Sequence, residues 1–483
     1  MLQNLLTFLR REDYPTNQGR GMAAASSKEP LSQATQDPAA YSGLKPTSKL
    51  DVIIVGAGIG GLAAAISIAL SGHDVTVFES AKELLEARIQ LTPNCTRILQ
   101  RWGLTDRLWS AAAEPTALVV HRYPGQVLAQ EVDMGRKMRA RYGAPYLCMH
   151  RVDLQLALYD RARELGVRFR MGDRVDAVDF DLPALTTESG DRARADLLVA
   201  ADGLWSRCRS SFLGTDDPPW PTGDLVYRVV LHLDQIDDPE LRLWVTRPKV
   251  HFWIGPGSHA VGYSLRAGTM YNLVLAVPDT LAPGVKRQPG SVEEMRALFS
   301  GWDPILTRFL AMVDSVDRWK LMYRHELPSW ISDKSNFVFV GDACHPMLPY
   351  LAQGAGSAIE DGAVLGLLLG CIRSKEQVPK ALDMYEKLRK SRGEAIVRET
   401  FKQRESYHMA DGPEQEARDQ IFLSQLGKDQ PEGPLPSRLI CPEVQSWLYG
   451  YDAFEVVREA VMAKPFDDEH MAAAPGRDGC LYQ

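Results

Sequence analysis

Gly56, Gly58 and Gly61 fit the spacing G-x-G-x-x-G, and the chemistry served by that spacing is phosphate binding. The glycines lie between Leu50 to Val55, an apolar run broken only by Asp51, and the helical stretch Leu62 to Leu70. Their roles differ. Gly56 permits a tight turn, Gly58 lets the backbone approach a pyrophosphate, and Gly61 lets the helix pack close to the sheet. The helix start offers free N–H groups and a positive dipole end to the phosphate. A second strand pattern, Asp74 to Glu79, ends in a carboxylate able to accept hydrogen bonds from both hydroxyls of a ribose. Strand, glycines, helix, strand and acid follow one another within about 30 residues, the span of a dinucleotide-binding unit. The motif alone does not separate NAD from FAD.

Two further strings carry chemistry. Asp202-Gly203-Leu204-Trp205-Ser206-Arg207-Cys208-Arg209 reads D-G-x-x-S-x-x-R after the apolar strand Asp196 to Ala201. It also reads as a turn followed by a capped helix, because Asp and Ser both favour such places. The second string starts at Gly341-Asp342, where a buried strand ends in a carboxylate that can bind a polyol. It continues through Pro349 to Gly362, where a glycine-rich turn opens a long apolar helix. The amides at that helix start favour negative charge on whatever faces them, such as the N1–C2=O edge of a reduced flavin. A plain helix start explains the glycines there but not the whole string.

The elements that must position these residues alternate strand and helix over 50 to 118. Arg151 to Tyr159 has helical spacing. From about 224 to 280 the texture changes to short strands separated by Gly and Pro turns, which predicts one mainly antiparallel sheet. A helix-rich piece follows at 291 to 313, Asn336 to Val340 returns to the buried-strand type, and a long helix runs from about 354 to 373. Residues 376 to 425 and 443 to 463 look helical. The expected organisation is a disordered extension over 1–48, a nucleotide-binding domain in two parts (49–223 and 325–400) interrupted by a β-rich substrate domain (224–324), and a helical tail (401–483).

The chain has 483 residues, enough for about two to four domains. Hydrophobic residues make up 45% and charged residues 24%, as in ordinary globular proteins, and the net charge of −7 gives no electrostatic case for nucleic acid. Seven scattered cysteines form no C-x-x-C pair, which predicts free thiols in a reducing compartment and no zinc site. The longest strongly apolar stretch near the C-terminal half, Ala363 to Ile372, is shorter than the roughly 20 residues that span a bilayer. Met1 to Arg10 is apolar with its basic residues after the apolar stretch, the reverse of a signal peptide. The expectation is a cytoplasmic protein, with a short amphipathic targeting helix left open.

Together, in this order and spacing, the three strings resemble the class A FAD-dependent monooxygenases, the aromatic hydroxylase family of 4-hydroxybenzoate and salicylate hydroxylases. The likeness covers roughly 50 to 400. Trp447 to Ala453 resembles the tail of the salicylate-hydroxylase-like branch, many of whose members act in microbial and fungal secondary metabolism. The resemblance implies an α/β fold of the 4-hydroxybenzoate hydroxylase type, with a Rossmann-like FAD-binding domain. It implies that Gly56, Gly58 and Gly61 cradle the FAD pyrophosphate and that Glu79 holds the adenosine ribose. Arg151 would reach the flavin from a helix start, its plain alternative being a surface ion pair with Asp153 or Asp160. Asp342 would bind the ribityl chain, the Gly354-Ala355 amides would face the isoalloxazine, and Asp202 belongs to a motif associated with both FAD and the nicotinamide cofactor. With a single dinucleotide fingerprint, NAD(P)H would dock only transiently.

The activity implied is monooxygenation of a phenolic or aromatic acid by way of a flavin C4a-hydroperoxide, with NAD(P)H and O₂ consumed. Such chemistry needs a cation or donor that stabilises a phenolate. Arg228, in a Tyr227-Arg228 pair resembling the family's flavin-facing arginine, is the first candidate, and Tyr263 the second. A solvated strand residue and a core tyrosine are their plain alternatives. For His251 and Trp253 a core place is preferred over the pocket. His345 either approaches the flavin or satisfies loop carbonyls. Ring epoxidation or dearomatisation is a close variant of the same chemistry, a flavin oxidase or NAD(P)-linked dehydrogenase a different class, and a degenerate flavin-binding protein a non-enzymatic alternative. The last is motivated by Leu85 to Asn94, which lacks both glycines of the family's loop there and places Glu86-Ala87-Arg88 instead.

Overall fold

The computed structural model describes residues 48–82, 88–429 and 433–466. The extension expected over 1–48 lies outside the described residues except for residue 48. Glu86 and Ala87 lie outside them too, so the structure describes little of the departure from the family loop. Arg88 opens a short strand, Arg88–Leu91, paired antiparallel with Leu147–His150.

The apolar runs that flank the glycine turn are strands of one parallel sheet. Its order is Phe337–Phe339, Leu197–Ala200, Asp51–Val55, Asp74–Glu79 and Arg168–Met171. Val52, Ile54, Val77, Leu198 and Val338 are fully buried, which is why the central strands read as continuous apolar runs rather than alternating ones. Two helices, Ile59–Leu70 and Gly354–Gly370, cross at close range. A Cβ on Gly362 would fall 2.5 Å from the Ala64 nitrogen, and one on Gly366 would fall 2.2 Å from Ser67 Oγ. Ser71 Oγ donates to the Gly366 carbonyl at 2.7 Å. The glycines in this helix are therefore contact points that bring two helix starts to the same end of the sheet, the carboxyl end, where open α/β sheets bind ligands.

The second large element is an eight-stranded sheet. In spatial order its strands are Arg287–Gly290, Val316–Tyr323, Trp220–His232, Met270–Pro278, Ser258–Leu265, Val250–Gly255, Ala117–Arg122 and Val127–Val132. It is wider than the stretch read as β-rich from the sequence, because a hairpin from 117–132 pairs onto its edge through Val250–Gly255. That hairpin begins where the segment of alternating strand and helix signals ends, and its place in the sheet is fixed by pairing with a strand more than 100 residues later in the chain.

Register sorts the side chains of this sheet. Leu225, Tyr227, Leu273, Leu275 and Trp253 face a core closed by the helices Pro239–Thr246, Val292–Leu298 and Pro304–Ala311. Arg228, Val274, Val261 and Phe252 form one cross-strand row on the opposite face, and Val230, Asn272, Tyr263 and Val250 form the next. The helix Val378–Tyr407 follows, then Pro413–Gln425, Pro442–Tyr449 and Ala453–Ala463, matching the helical tail read from the sequence.

Candidate active site

The inward face of the eight-stranded sheet and the carboxyl end of the parallel sheet meet across a cavity of about 360 Å³. Among the residues that line it are Gly58, Arg151, Gly203, Arg228, Tyr263, Asp342, Gly354 and Ala355. All of these but Gly203 belong to the eleven residues given cofactor or catalytic roles from the sequence, so seven of the eleven are brought to one place. Gly56, Gly61, Glu79 and Asp202 are the others, and all four build the turns behind the wall.

On the glycine side the geometry is set by the backbone. Gly56 has φ +105°, and a Cβ there would meet the Ala201 carbonyl oxygen at 2.5 Å. A Cβ on Gly61 would fall 1.9 Å from the Gly56 carbonyl oxygen, whereas one on Gly58 would meet nothing within 4 Å. The protein's own atoms thus demand glycine at Gly56 and Gly61 and leave the space beside Gly58 open. Glu79 Oε2 accepts the Ala57 N–H at 2.7 Å and its Oε1 accepts the Ala81 N–H at 2.7 Å. Oε1 also accepts a hydrogen bond from Ser80 Oγ at 3.2 Å, so Oε2 is the oxygen that keeps further acceptor capacity for a hydroxyl donor.

Asp202 carries the capping chemistry that was its plain alternative. Its Oδ2 accepts the Cys208 N–H at 3.0 Å, and Ser206 Oγ accepts the Arg209 N–H at 2.9 Å. Its Oδ1 is buried without a protein partner. The final arginine of the motif, Arg209, is wholly interior and binds Asp217 at 2.6 Å and the His325 carbonyl at 2.5 Å.

Arg151 is the first residue of the helix Arg151–Glu164. The expected alternative partner Asp153 pairs instead with Arg266 at 3.1 Å. Asp342 opens onto the cavity while protein crowds its other sides. Burial raises its pKa, and the charges of His345 and Arg151 oppose that rise.

Behind Gly354 and Ala355, the helix Gly354–Gly370 is anchored by a buried charge cluster that the sequence reading missed. Arg389 binds Asp361 at 2.8 Å and Glu360 at 2.6 Å, and Arg392 binds Glu360 at 2.9 Å. Asn94 Nδ2 donates to Glu360 Oε1 at 2.7 Å, and Asp361 Oδ2 accepts the Gly341 N–H at 2.9 Å. Burial alone would raise the Asp361 pKa, but His345 and Arg389 overcome it and hold the carboxyl at about 2. His345 lies 2.5 Å from Asp361 and does not line the cavity, so neither place expected for it is observed. Asp361 draws its ring into the cluster.

Across the cavity the wall is built from side chains. Arg228 rests over the Trp319 ring at 5.1 Å, and Tyr263 is 5% exposed. His251 and Trp253 point away from the cavity, as preferred. His251 Nδ1 meets His121 Nε2 at 2.9 Å, and Trp253 Nε1 donates to Asp303 at 2.7 Å. Alternation decides this, since Phe252 between them lines the cavity.

His259, Asn272 and Tyr350 also line the cavity and were missed. Tyr350 OH donates to Asp224 Oδ2 at 2.7 Å, and Arg404 binds both oxygens of Asp224 at 2.6 and 2.7 Å. His259 Nδ1 meets His408 Nε2 at 2.6 Å. Burial holds both imidazoles below the ordinary histidine pKa, His408 at about 4, so the wall presents neutral rings at pH 7. A signal for His259 existed. With Tyr263 placed inward, a period of two places Val261 and His259 inward as well. No described helix is long and apolar enough to cross a membrane.

Residues 49–400 match a family described as FAD binding domain. The chain is 48% identical over 420 residues to the FAD-dependent monooxygenase OpS4 of Beauveria bassiana (strain ARSEF 2860), covering 85% of this chain and 97% of that protein. It is 32% identical to a 3-hydroxybenzoate 6-hydroxylase of Polaromonas naphthalenivorans (strain CJ2), covering 83% and 96%. Among solved structures, Klebsiella pneumoniae HpxO complexed with FAD and uric acid superposes with a TM-score of 0.67 at 26% identity, covering 78% of this chain and 94% of that one.

Proposed function

The chain belongs to the FAD-dependent monooxygenases of the aromatic hydroxylase family, and on that footing we propose that it inserts one oxygen atom of O₂ into a phenolic or aromatic-acid substrate, with NAD(P)H as reductant. The observation that carries the reading is the shared cavity, in which a backbone-built cofactor crevice faces a sheet carrying Arg228 and Tyr263. The residues present fit FAD. Open space lies over Gly58, a carboxylate at Asp342 opens onto the cavity, and a helix start stands at Gly354 and Ala355.

We assign Gly56, Gly58 and Gly61 to the pyrophosphate, Glu79 to the adenosine ribose, and Asp342 to the ribityl chain. Arg151 and the Gly354-Ala355 amides take the flavin ring, and Asp202 braces the strand-end turn that flanks it. In this division 49–223 with 325–400 hold the cofactor, 224–324 supplies the substrate wall, and 401–483 is a helical tail. We place the protein in the cytoplasm, acting on small molecules rather than on nucleic acid.

When bound, FAD supplies the electron transfer from NAD(P)H to O₂ and the transfer of oxygen to the substrate. This chain's residues do the rest. The Arg228 guanidinium, fixed over Trp319, stabilises a phenolate oxygen and so favours loss of the phenol proton. Tyr263 offers a hydroxyl from the neighbouring row. Val226, Val261, Val274 and Phe252 line the space between the polar groups and exclude water from it.

The test is to purify the protein, record its visible spectrum, and follow NAD(P)H and O₂ consumption against a panel of phenolic acids. A yellow protein whose NAD(P)H oxidation is stimulated by a phenolic acid is expected. Protein that cannot be loaded with FAD overturns the reading, and FAD-loaded protein without substrate-stimulated turnover favours the degenerate alternative. Arg228→Ala is expected to keep FAD and lose about 10²–10³-fold in turnover. Wild-type turnover in that variant removes Arg228 from the mechanism.

A further inference from the structure

Asn272 stands in the strand Met270–Pro278, paired with Val230 on one side and Tyr263 on the other. It belongs to the cavity wall and is 0% exposed, and neither its Nδ2 nor its Oδ1 has a hydrogen-bond partner in the protein. An asparagine amide brings two donors and an acceptor, and burying them unpaired is destabilising. The contrast with the far face of the same strand is direct. Tyr271, one residue earlier and equally buried, accepts a hydrogen bond from Trp244 Nε1 at 2.9 Å, and Trp253 is paired with Asp303. On the core side of this sheet only the Tyr227 hydroxyl among these groups is left without a partner, whereas on the cavity side both polar atoms of the Asn272 amide are.

The chemistry of the missing partner follows from the amide. It must donate to Oδ1 and accept from Nδ2. A hydroxyl does both. A carboxylate only accepts, and would set its negative oxygen against Oδ1, while an ether cannot donate. Arg228 pairs with Val274, two residues along from Asn272, so the two are diagonal neighbours on one face, roughly 7–8 Å apart at the backbone. A ring with its ionised oxygen at Arg228 reaches Asn272 with a different substituent.

We propose that Asn272 is a specificity-determining residue, and that the substrate carries a hydroxyl facing it in addition to the anionic group near Arg228. This rests on the reading of the cavity as an aromatic hydroxylase site. The ligand class is a polyhydroxylated aromatic acid rather than a monohydroxylated one.

Calorimetric titration of the FAD-loaded protein tests it. The probes are salicylate, the dihydroxybenzoates that keep its ortho hydroxyl, and their monomethyl ethers at the added position. At least one dihydroxybenzoate is expected to bind the wild-type protein about 10-fold or more tightly than both salicylate and the matching ether. Asn272→Leu, close in volume, is expected to erase that ratio to within about twofold while FAD content and Tm are kept. A wild-type protein without the preference overturns the proposal, a result that stands however the variant folds. A folded Asn272→Leu that keeps the wild-type ratio overturns it as well. FAD-loaded protein that binds none of the probes and oxidises NAD(P)H with none of them overturns the aromatic-acid reading itself.

Discussion

On the glycine-turn side of the cavity the inward groups are largely backbone: the turn at Gly58, the strand end at Gly341, and the helix start at Gly354 and Ala355. On the antiparallel sheet they are side chains: Arg228, His259, Tyr263 and Asn272, with Tyr350 beside them. Backbone recognition suits a cofactor whose phosphates and polyol are the same in every relative. Side-chain recognition can change residue by residue without disturbing the sheet. The two sides are also buttressed differently. Charged pairs, with Arg389 at their centre, stand behind the backbone side, and neutral histidines stand within the wall.

The largest effect that would break this comparison is at Gly61. Gly61→Ala forces a methyl against the Gly56 carbonyl oxygen, a backbone atom that cannot swing away. The penalty should exceed the about 1–3 kcal/mol usual for overpacking. Loss of soluble, flavin-coloured protein is expected. A yellow variant of ordinary Tm would show that the turn is more compliant than its geometry implies.

Next comes the charge cluster. Arg389→Met leaves Asp361 buried opposite His345 alone, and breaking such a pair costs about 3–5 kcal/mol. A lower denaturation midpoint is expected, partly restored by adding Asp361→Asn. If Arg389→Met leaves the midpoint unchanged, the cluster does not hold the helix that carries Gly354.

Legibility in the sequence divides along the same line. A backbone site needs glycines at fixed offsets between a strand and a helix, so it is local, and Gly56 to Gly61 and Gly341 to Gly362 could be read directly. The wall is set by register among strands that are distant in sequence. Arg228 and Tyr263 could be picked by type, but Asn272 and Tyr350 look like any strand amide and any loop tyrosine until the strands are aligned. His345 was misplaced for a related reason: its partner Asp361 lies 16 residues away, and nothing nearby announces the Arg389 that completes the cluster. The 117–132 hairpin is the fold-level counterpart, a local pair whose sheet is chosen by a distant strand.

The histidines sharpen the comparison by pH. Burial lowers His408 from 6.5 to about 4 and also lowers His259, His251 and His121. The unfolded chain takes up protons on these rings from about pH 6.5 downward while the folded chain does not. Stability is therefore lost as pH falls from about 6.5 toward 4, by about 3 kcal/mol for His408 alone. His345 acts in the opposite sense. Asp361 raises its pKa against the effect of burial, so its contribution is full below about 6.5 and is lost as pH rises through the folded value. Melting curves at pH 7 and pH 5 should show the wall's sign, a lower Tm at pH 5, and His408→Gln should reduce the difference. An equal Tm at both pH values would mean that these rings are not held neutral.

The smallest effect separates approach from packing within the glycine motif. Gly58 has φ −68° and ψ 177°, a conformation open to any residue, and its added Cβ would meet no protein atom within 4 Å. Gly58→Ala should therefore fold with an unchanged Tm in the cofactor-free state. If the open space over Gly58 is where a pyrophosphate approaches, the methyl stands in its way, and FAD affinity should fall by about 10-fold, read by titrating FAD against its fluorescence quenching. An unchanged affinity would mean that this glycine serves neither folding nor cofactor. The glycine turn would then rest on Gly56 and Gly61 alone, whose demands come from the protein's own atoms rather than from anything bound.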